Sequence, residues 1–146
     1  MLKITETGGD RVRFKINTMA ARAKNLTPAY KTFGEYRARR HTAIFNSQRS
    51  PYDEKWTALQ PATIAKKRKK GSDPRILHDS LKMRGSFYTK PTARKIEWGY
   101  SVPYIRYHVK GTRRLPIRSP LEDKRGLAPR DMKRYKKLLA EYLLND

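Results

Sequence analysis

The sequence predicts an α+β fold: a small antiparallel β-sheet packed by two or three helices, with long extended loops. Three observations predict it. Short runs that alternate apolar and polar side chains flank Gly- and Pro-containing turns, the pattern of hairpin strands. Proline-started segments carry apolar residues at steps of three and four, the pattern of amphipathic helices. The apolar fraction is only 37% and the charged fraction 33% of 146 residues. That composition supports one thin core, so residues 1–146 form a single domain with much of its length in loops.

Leu2 and Ile4, then Val12, Phe14 and Ile16, alternate on either side of Gly8-Gly9-Asp10. The alternation predicts an opening β-hairpin over residues 2–6 and 11–17. Thr18 is placed to cap a short Ala-rich helix from Met19 to Lys24. Thr27 as N-cap and Pro28 in the first turn then start a longer helix to about Asn46. That helix presents Tyr30, Phe33, Arg37, Ile44 and Phe45. Trp56 and Leu59 anchor a loop that leads to a helix begun by Pro61 and ended near Gly71, after which Ile76, Leu77, Leu81 and Met83 are the expected buried positions. A second hairpin pairs Ser86–Lys90 with the run holding Ile96 and Trp98, across the turn Pro91-Thr92-Ala93-Arg94. Pro103 to Val109 suits a short helix closed by Gly111, and Pro116 and Pro120 make 112–126 an extended, projecting arm. From Pro129 to Leu144, Met132, Tyr135, Leu138, Leu139, Tyr142 and Leu143 recur at helical spacing among cations, which is the clearest amphipathic helix in the chain.

Thirty-five Lys and Arg against 13 Asp and Glu give a net charge of +22. Like charges at that density repel across a small surface, so the composition points to an acidic or polyanionic partner. The densest run is Lys66, Lys67, Arg68, Lys69 and Lys70. It reads either as a polyanion contact, able to neutralise phosphates, or as a solvated helix end whose cations favour the C-terminal dipole. Tyr100, Tyr104 and Tyr107 have two readings as well, core or contact surface, with stacking on bases as one use of the latter. No recognised nucleic-acid reading motif accompanies them, which leaves a basic nucleic-acid-binding module as the alternative function.

Catalytic chemistry finds little support. Without cysteine there is no disulfide, thiolate zinc site or cysteine nucleophile. His41, His78 and His108 lack a helical metal-pair spacing and read as structural histidines. His78-Asp79-Ser80 spells the residue types of a hydrolase triad, but adjacent residues do not form that relay. Gly8-Gly9 lacks the lysine of a phosphate loop. A non-enzymatic protein with no cofactor or metal is expected. With no apolar leader region and no run of roughly 20 apolar residues, the chain is expected to be neither exported nor membrane-anchored.

From Pro51 onward the order of residues is itself informative. Pro51, Trp56, Leu59, Thr63 and Lys66 are followed by Leu77, Ser80, Met83 and Ser86, then Gly99, Tyr104, His108 and Gly111, then Pro116 with Arg118. This succession resembles the phage virion-morphogenesis family of tail-completion proteins over about the last two thirds of the chain. Leu81 stands where that family carries glycine, and Ile105 and Ile117 where it carries alanine. The segment Glu122–Pro129 is also longer than usual before the last helix. The resemblance implies a structural virion protein of the head-tail junction, made in the host cytoplasm, that terminates or joins the tail as a hexameric homo-oligomeric ring. Its implied partners are tail-tube, connector or adaptor, or sheath proteins, together with the genomic DNA passing through the neck; no membrane is implied. In that setting Tyr104 and His108 fix the start of the arm, Gly111 is its hinge, and Arg113, Arg114, Pro116 and Arg118 reach a neighbouring subunit.

Overall fold

A computed structural model describes residues 8–145. Within them the chain forms six helices and one two-stranded antiparallel sheet, an α+β arrangement. In chain order these are α1 (Gly9–Ala23), α2 (Thr27–Ser47), α3 (Pro61–Lys69), α4 (Lys82–Gly85), β1 (Phe87–Pro91), β2 (Ile96–Tyr100), α5 (Ile105–Lys110) and α6 (Pro129–Leu144). The hairpin pairs Phe87 with Tyr100 and Pro91 with Ile96. It lies on one side of α2, and α6 packs against α2 as well, so α2 is the central element.

The buried face of α2 explains why. Ala29, Tyr30, Phe33, Gly34, Arg37, His41, Ile44 and Phe45 are all buried, which is an unbroken helical stripe once Arg37 and His41 are counted in it. Gly34 lets β1 come close: a Cβ there would meet Thr89 Oγ1 at 3.0 Å. At the far end Ile44 and Phe45 join Trp56, Ile76, Met83 and Tyr100 in the main core. Trp56 stands edge-on to Phe45, with ring centroids 5.7 Å apart, and donates its indole N–H to the Ser119 carbonyl at 3.2 Å. It anchors the loop, as expected for an aromatic at a loop entrance.

The opening hairpin is overturned. Residues 11–17 lie in α1, and residues 2–6 fall outside the described residues. Val12, Phe14 and Ile16 are 60%, 72% and 58% exposed, so their alternation marks no buried face. The intervening Arg11, Arg13 and Lys15 are good helix formers and run straight into the Ala-rich segment, which extends one helix through both. Thr18 therefore sits inside α1 and donates to Phe14 O instead of capping. Thr27 likewise is the first helical residue; the side chain that serves this helix start is Asn25, whose Oδ1 accepts from the Thr27 N–H at 3.1 Å.

Leu81 departs from expectation too. It is 50% exposed and holds φ 56°, ψ 1° as the residue before α4. This is the left-handed conformation that glycine accepts freely, at the position where the resembled pattern has glycine. The backbone keeps the turn and the leucine bears the strain. Leu81→Gly is expected to raise stability by about 0.5 to 1 kcal/mol, the relief of left-handed strain exceeding the added freedom of the unfolded chain. A higher urea midpoint for the glycine variant checks this.

A buried ion network binds the remaining parts together. Arg37, 2% exposed, donates from Nη1 to Asp131 at 2.7 Å, and its Nη2 forms an ion pair with Glu122 at 2.6 Å. Asp131, fully buried at the start of α6, also accepts from Arg40 Nε at 3.1 Å and from the Tyr36 hydroxyl at 2.5 Å. Burial and the adjoining carboxylate hold the Tyr36 hydroxyl protonated, with its pKa pushed up to about 12. Arg37 also lies 4.8 Å above the Trp98 ring, and the Trp98 indole donates to Glu122 at 3.1 Å. One guanidinium thus links α2, β2, the 122 segment and α6.

Candidate assembly interface

The network redefines the expected arm. Over 118–126 the chain is packed on its own domain, because Arg118, Pro120 and Ala128 are buried, Trp56 holds Ser119, and Arg37 holds Glu122. Beyond it, Tyr52 donates to Gly126 O, and Arg125 stacks 3.8 Å from the Tyr52 ring while pairing with Glu54 and Asp123. That turn takes up the long segment before α6. What projects is 112–117 alone.

Its shape is set from within. Gly111, after the last residue of α5, adopts φ 70°, ψ 172°, a region open to glycine alone among the amino acids. An added Cβ would lie 2.9 Å from Ile117 Cγ1. Thr112 and Leu115 exchange backbone hydrogen bonds at 2.8 and 3.2 Å, and the Arg118 N–H donates to His108 O at 2.9 Å, closing the base of the loop. Outside this pinch Arg113, Arg114, Leu115, Pro116 and Ile117 are exposed, Ile117 by 60%. The exposure of Leu115 and Ile117 was not foreseen; for Ile117, an isoleucine where the resembled pattern has alanine was the one signal. Neither Arg113 nor Arg114 pairs with a carboxylate among the described residues.

The structure brings Tyr104, His108 and Arg118 together, though not on the loop. All three line a groove of about 430 Å³ beside the Ile76–Met83 segment, with Lys67 opposite. Arg118, expected to reach a neighbouring subunit from an extended arm, is only 6% exposed, and its Nε and Nη2 donate to the Thr57 and Ala58 carbonyls at 2.7 and 2.9 Å. Burial lowers its pKa, and burial followed by the Arg118 charge lowers that of His108.

The other expected features separate. Lys66, Arg68, Lys69 and Lys70 are exposed at the end of α3, where Lys67 donates to Arg75 O at 2.7 Å. Tyr100 belongs to the core, whereas Tyr104 and Tyr107 are 37% and 42% exposed. His78 is buried with Nδ1 2.9 Å from Ile76 O, while Asp79 and Ser80 are exposed, so the three adjacent residues make no relay. His41 is a core histidine held by Tyr100 and Arg84. No cluster of three or more metal-ligating side chains occurs among the described residues, and none of their helices is long and apolar enough to cross a membrane.

No curated protein and no solved structure matches the chain. The family model described as the phage virion morphogenesis family matches residues 9–143. The matched span begins at the first residue of α1 and ends within α6, taking in the hairpin, the pinched loop and both partners of the Arg37 network, and so the chain belongs to the phage virion morphogenesis family.

Proposed function

We propose that this phage virion morphogenesis protein is a non-enzymatic structural component of the head-tail junction, working as a ring of identical subunits that joins or terminates the tail. The loop 112–117 carries this reading. Its backbone is locked by Gly111 and by bonds within the loop, yet Leu115 and Ile117 are exposed and Arg113 and Arg114 find no carboxylate among the described residues. A preformed apolar and cationic projection suits contact with a neighbouring subunit or an acidic tail or connector protein, where complementary charge guides encounter and register. Family membership places the chain in virion morphogenesis, and the closed symmetry of a ring satisfies every copy of such a projection.

The test exchanges exposed side chains only. Arg113→Ser, Arg114→Ser and Leu115→Ser together are expected to leave the circular dichroism spectrum and melting temperature of the isolated protein nearly unchanged. In a complementation assay the same variant is expected to be lost from assembled particles. Incorporation at the normal level refutes the projection as an assembly contact.

One observation favours a second reading, contact with the DNA that passes through the neck. Lys66, Arg68, Lys69 and Lys70 form an exposed cationic helix end with no carboxylate partner among the described residues. Tight gripping there opposes genome ejection, so the protein-partner reading stands first. Filter binding across a salt series is expected to show weak duplex affinity at physiological salt, about 10⁻⁴ to 10⁻⁶ M, falling with log salt. Nanomolar affinity reverses the order of the two readings.

A further inference from the structure

We propose that the groove between α3, α5 and the Ile76–Met83 segment receives a glutamate or aspartate side chain from an acidic, partly apolar segment of a different virion protein, with Arg118 as its seat. Arg118 is a buried cation without a counter-ion: Nε and Nη2 are taken by neutral carbonyls, and no acid among the described residues pairs with it. Nη1 has no partner among the described residues and is not sealed from solvent. Beside it the His108 Nδ1 is buried with no hydrogen-bond partner. A desolvated guanidinium next to an unfilled imidazole nitrogen is a site completed by an anion. Loss of basicity at both groups, caused first by burial in each case, agrees with a missing negative charge.

The lining chooses among anions. Leu59, Leu77 and Met83 supply apolar wall, and Lys67 and Lys82 add charge that outweighs Asp79, the one acid there. A peptide that alternates acidic and apolar side chains covers both kinds of wall. A nucleic-acid backbone leaves the apolar wall wet. The described residues of a second copy offer few unpaired carboxylates. Among the described residues only Asp10, Glu35 and Asp79 lack an intrachain cation within ion-pair distance, and Asp79 is already in the groove. The occupant is therefore an acidic segment of another protein.

That this partner is a virion protein rests on the junctional reading above, whereas the chemistry of the groove does not. Peptide binding by the isolated chain and incorporation into particles can fail separately. The probe is fluorescein-labelled acetyl-Leu-Glu-Leu-Glu-Leu-amide, titrated into the full chain at fixed salt beside its glutamine twin. The glutamate peptide is expected to bind about tenfold more tightly, the scale of one charge-assisted hydrogen bond, and to shift the His108 imidazole resonances. Two charge reversals separate the groove from the general field of a +22 protein. Lys82→Glu, on the groove, is expected to weaken binding severalfold more than Lys69→Glu, which changes the net charge equally from outside it. Arg118→Gln is expected to abolish the glutamate preference; if it fails to fold, the two lysine reversals decide. Equal binding of the glutamine twin, equal losses for the two reversals, or the same His108 shifts with a short oligothymidylate overturn the proposal.

Discussion

Asp131→Ala is expected to destabilise the fold by about 3 to 5 kcal/mol, the range for removing one partner of a buried ion pair. The loss is a large share of the 5 to 15 kcal/mol that typically separates folded from unfolded states. The reason lies with what stays behind. Arg37 keeps Glu122 on Nη2, but Nη1 faces a void, and Arg40 and Tyr36 lose the same acceptor. For a chain of this length the melting temperature is expected to fall by roughly 10 to 15 °C. The double variant Arg37→Met with Asp131→Leu is expected to be more stable than Asp131→Ala, because it replaces the half-paired guanidinium with apolar volume, while Glu122, which loses its cation, keeps the Trp98 indole N–H as a donor. Thermal and urea unfolding followed by circular dichroism check both. A double variant no more stable than the single one shows that the network acts through its hydrogen-bond geometry and not through charge burial.

Acid is expected to weaken the fold through His41. The ring stacks on Phe87 with centroids 4.5 Å apart, its Nε2–H donates to the Arg84 carbonyl at 3.0 Å, and Nδ1 accepts from the Tyr100 hydroxyl at 2.7 Å. Those partners fix the neutral tautomer, since the carbonyl can only accept. Burial, reinforced by the charges of Arg84 and Arg37, lowers the His41 pKa from 6.5 to about 4. Between those two values the unfolded chain binds a proton that the folded chain refuses. Stability is therefore complete above about pH 6.5 and drains as the pH falls toward 4, by about 2 kcal/mol at pH 5 and about 3 kcal/mol at the end of the window. His108, depressed in the same direction, adds to the slope. His41→Gln is expected to be less stable at pH 7.5 yet to flatten the decline between pH 7 and 5, measured as urea midpoints. An unchanged slope in that variant assigns the acid sensitivity to other groups.

The parts of this fold that sequence reveals are those whose signals are local. α2, α3, α5 and α6 begin and end within a few residues of their proline and glycine signals, and the hairpin at 87–100 shows its strands and its turn. Alternation failed at 11–17 because three apolar residues fix no period once their neighbours favour helix. The Arg37 network stayed hidden for another reason. Its members stand at 36, 37, 40, 98, 122 and 131, and a surface arginine and a buried one look alike until the chain is folded. The candidate contact loop was half legible. Gly111 and its neighbours marked where the loop begins, but proline spacing made the arm too long, because the tie from Trp56 to Ser119 is tertiary. Arg118 was expected along a free strand and lies inside a groove, held by the Thr57 and Ala58 carbonyls.

Both tryptophans donate their indole hydrogens into one stretch four residues long, Trp56 to Ser119 and Trp98 to Glu122. Under excitation selective for indole, emission therefore comes from two side chains that watch that stretch, one set in the core and the other beneath a guanidinium. Undocking of 119–122 wets both at once and moves the spectrum to the red while the helices keep their ellipticity. The molecule thus carries a native optical gauge of whether residues 119–122 are in place, readable without a label.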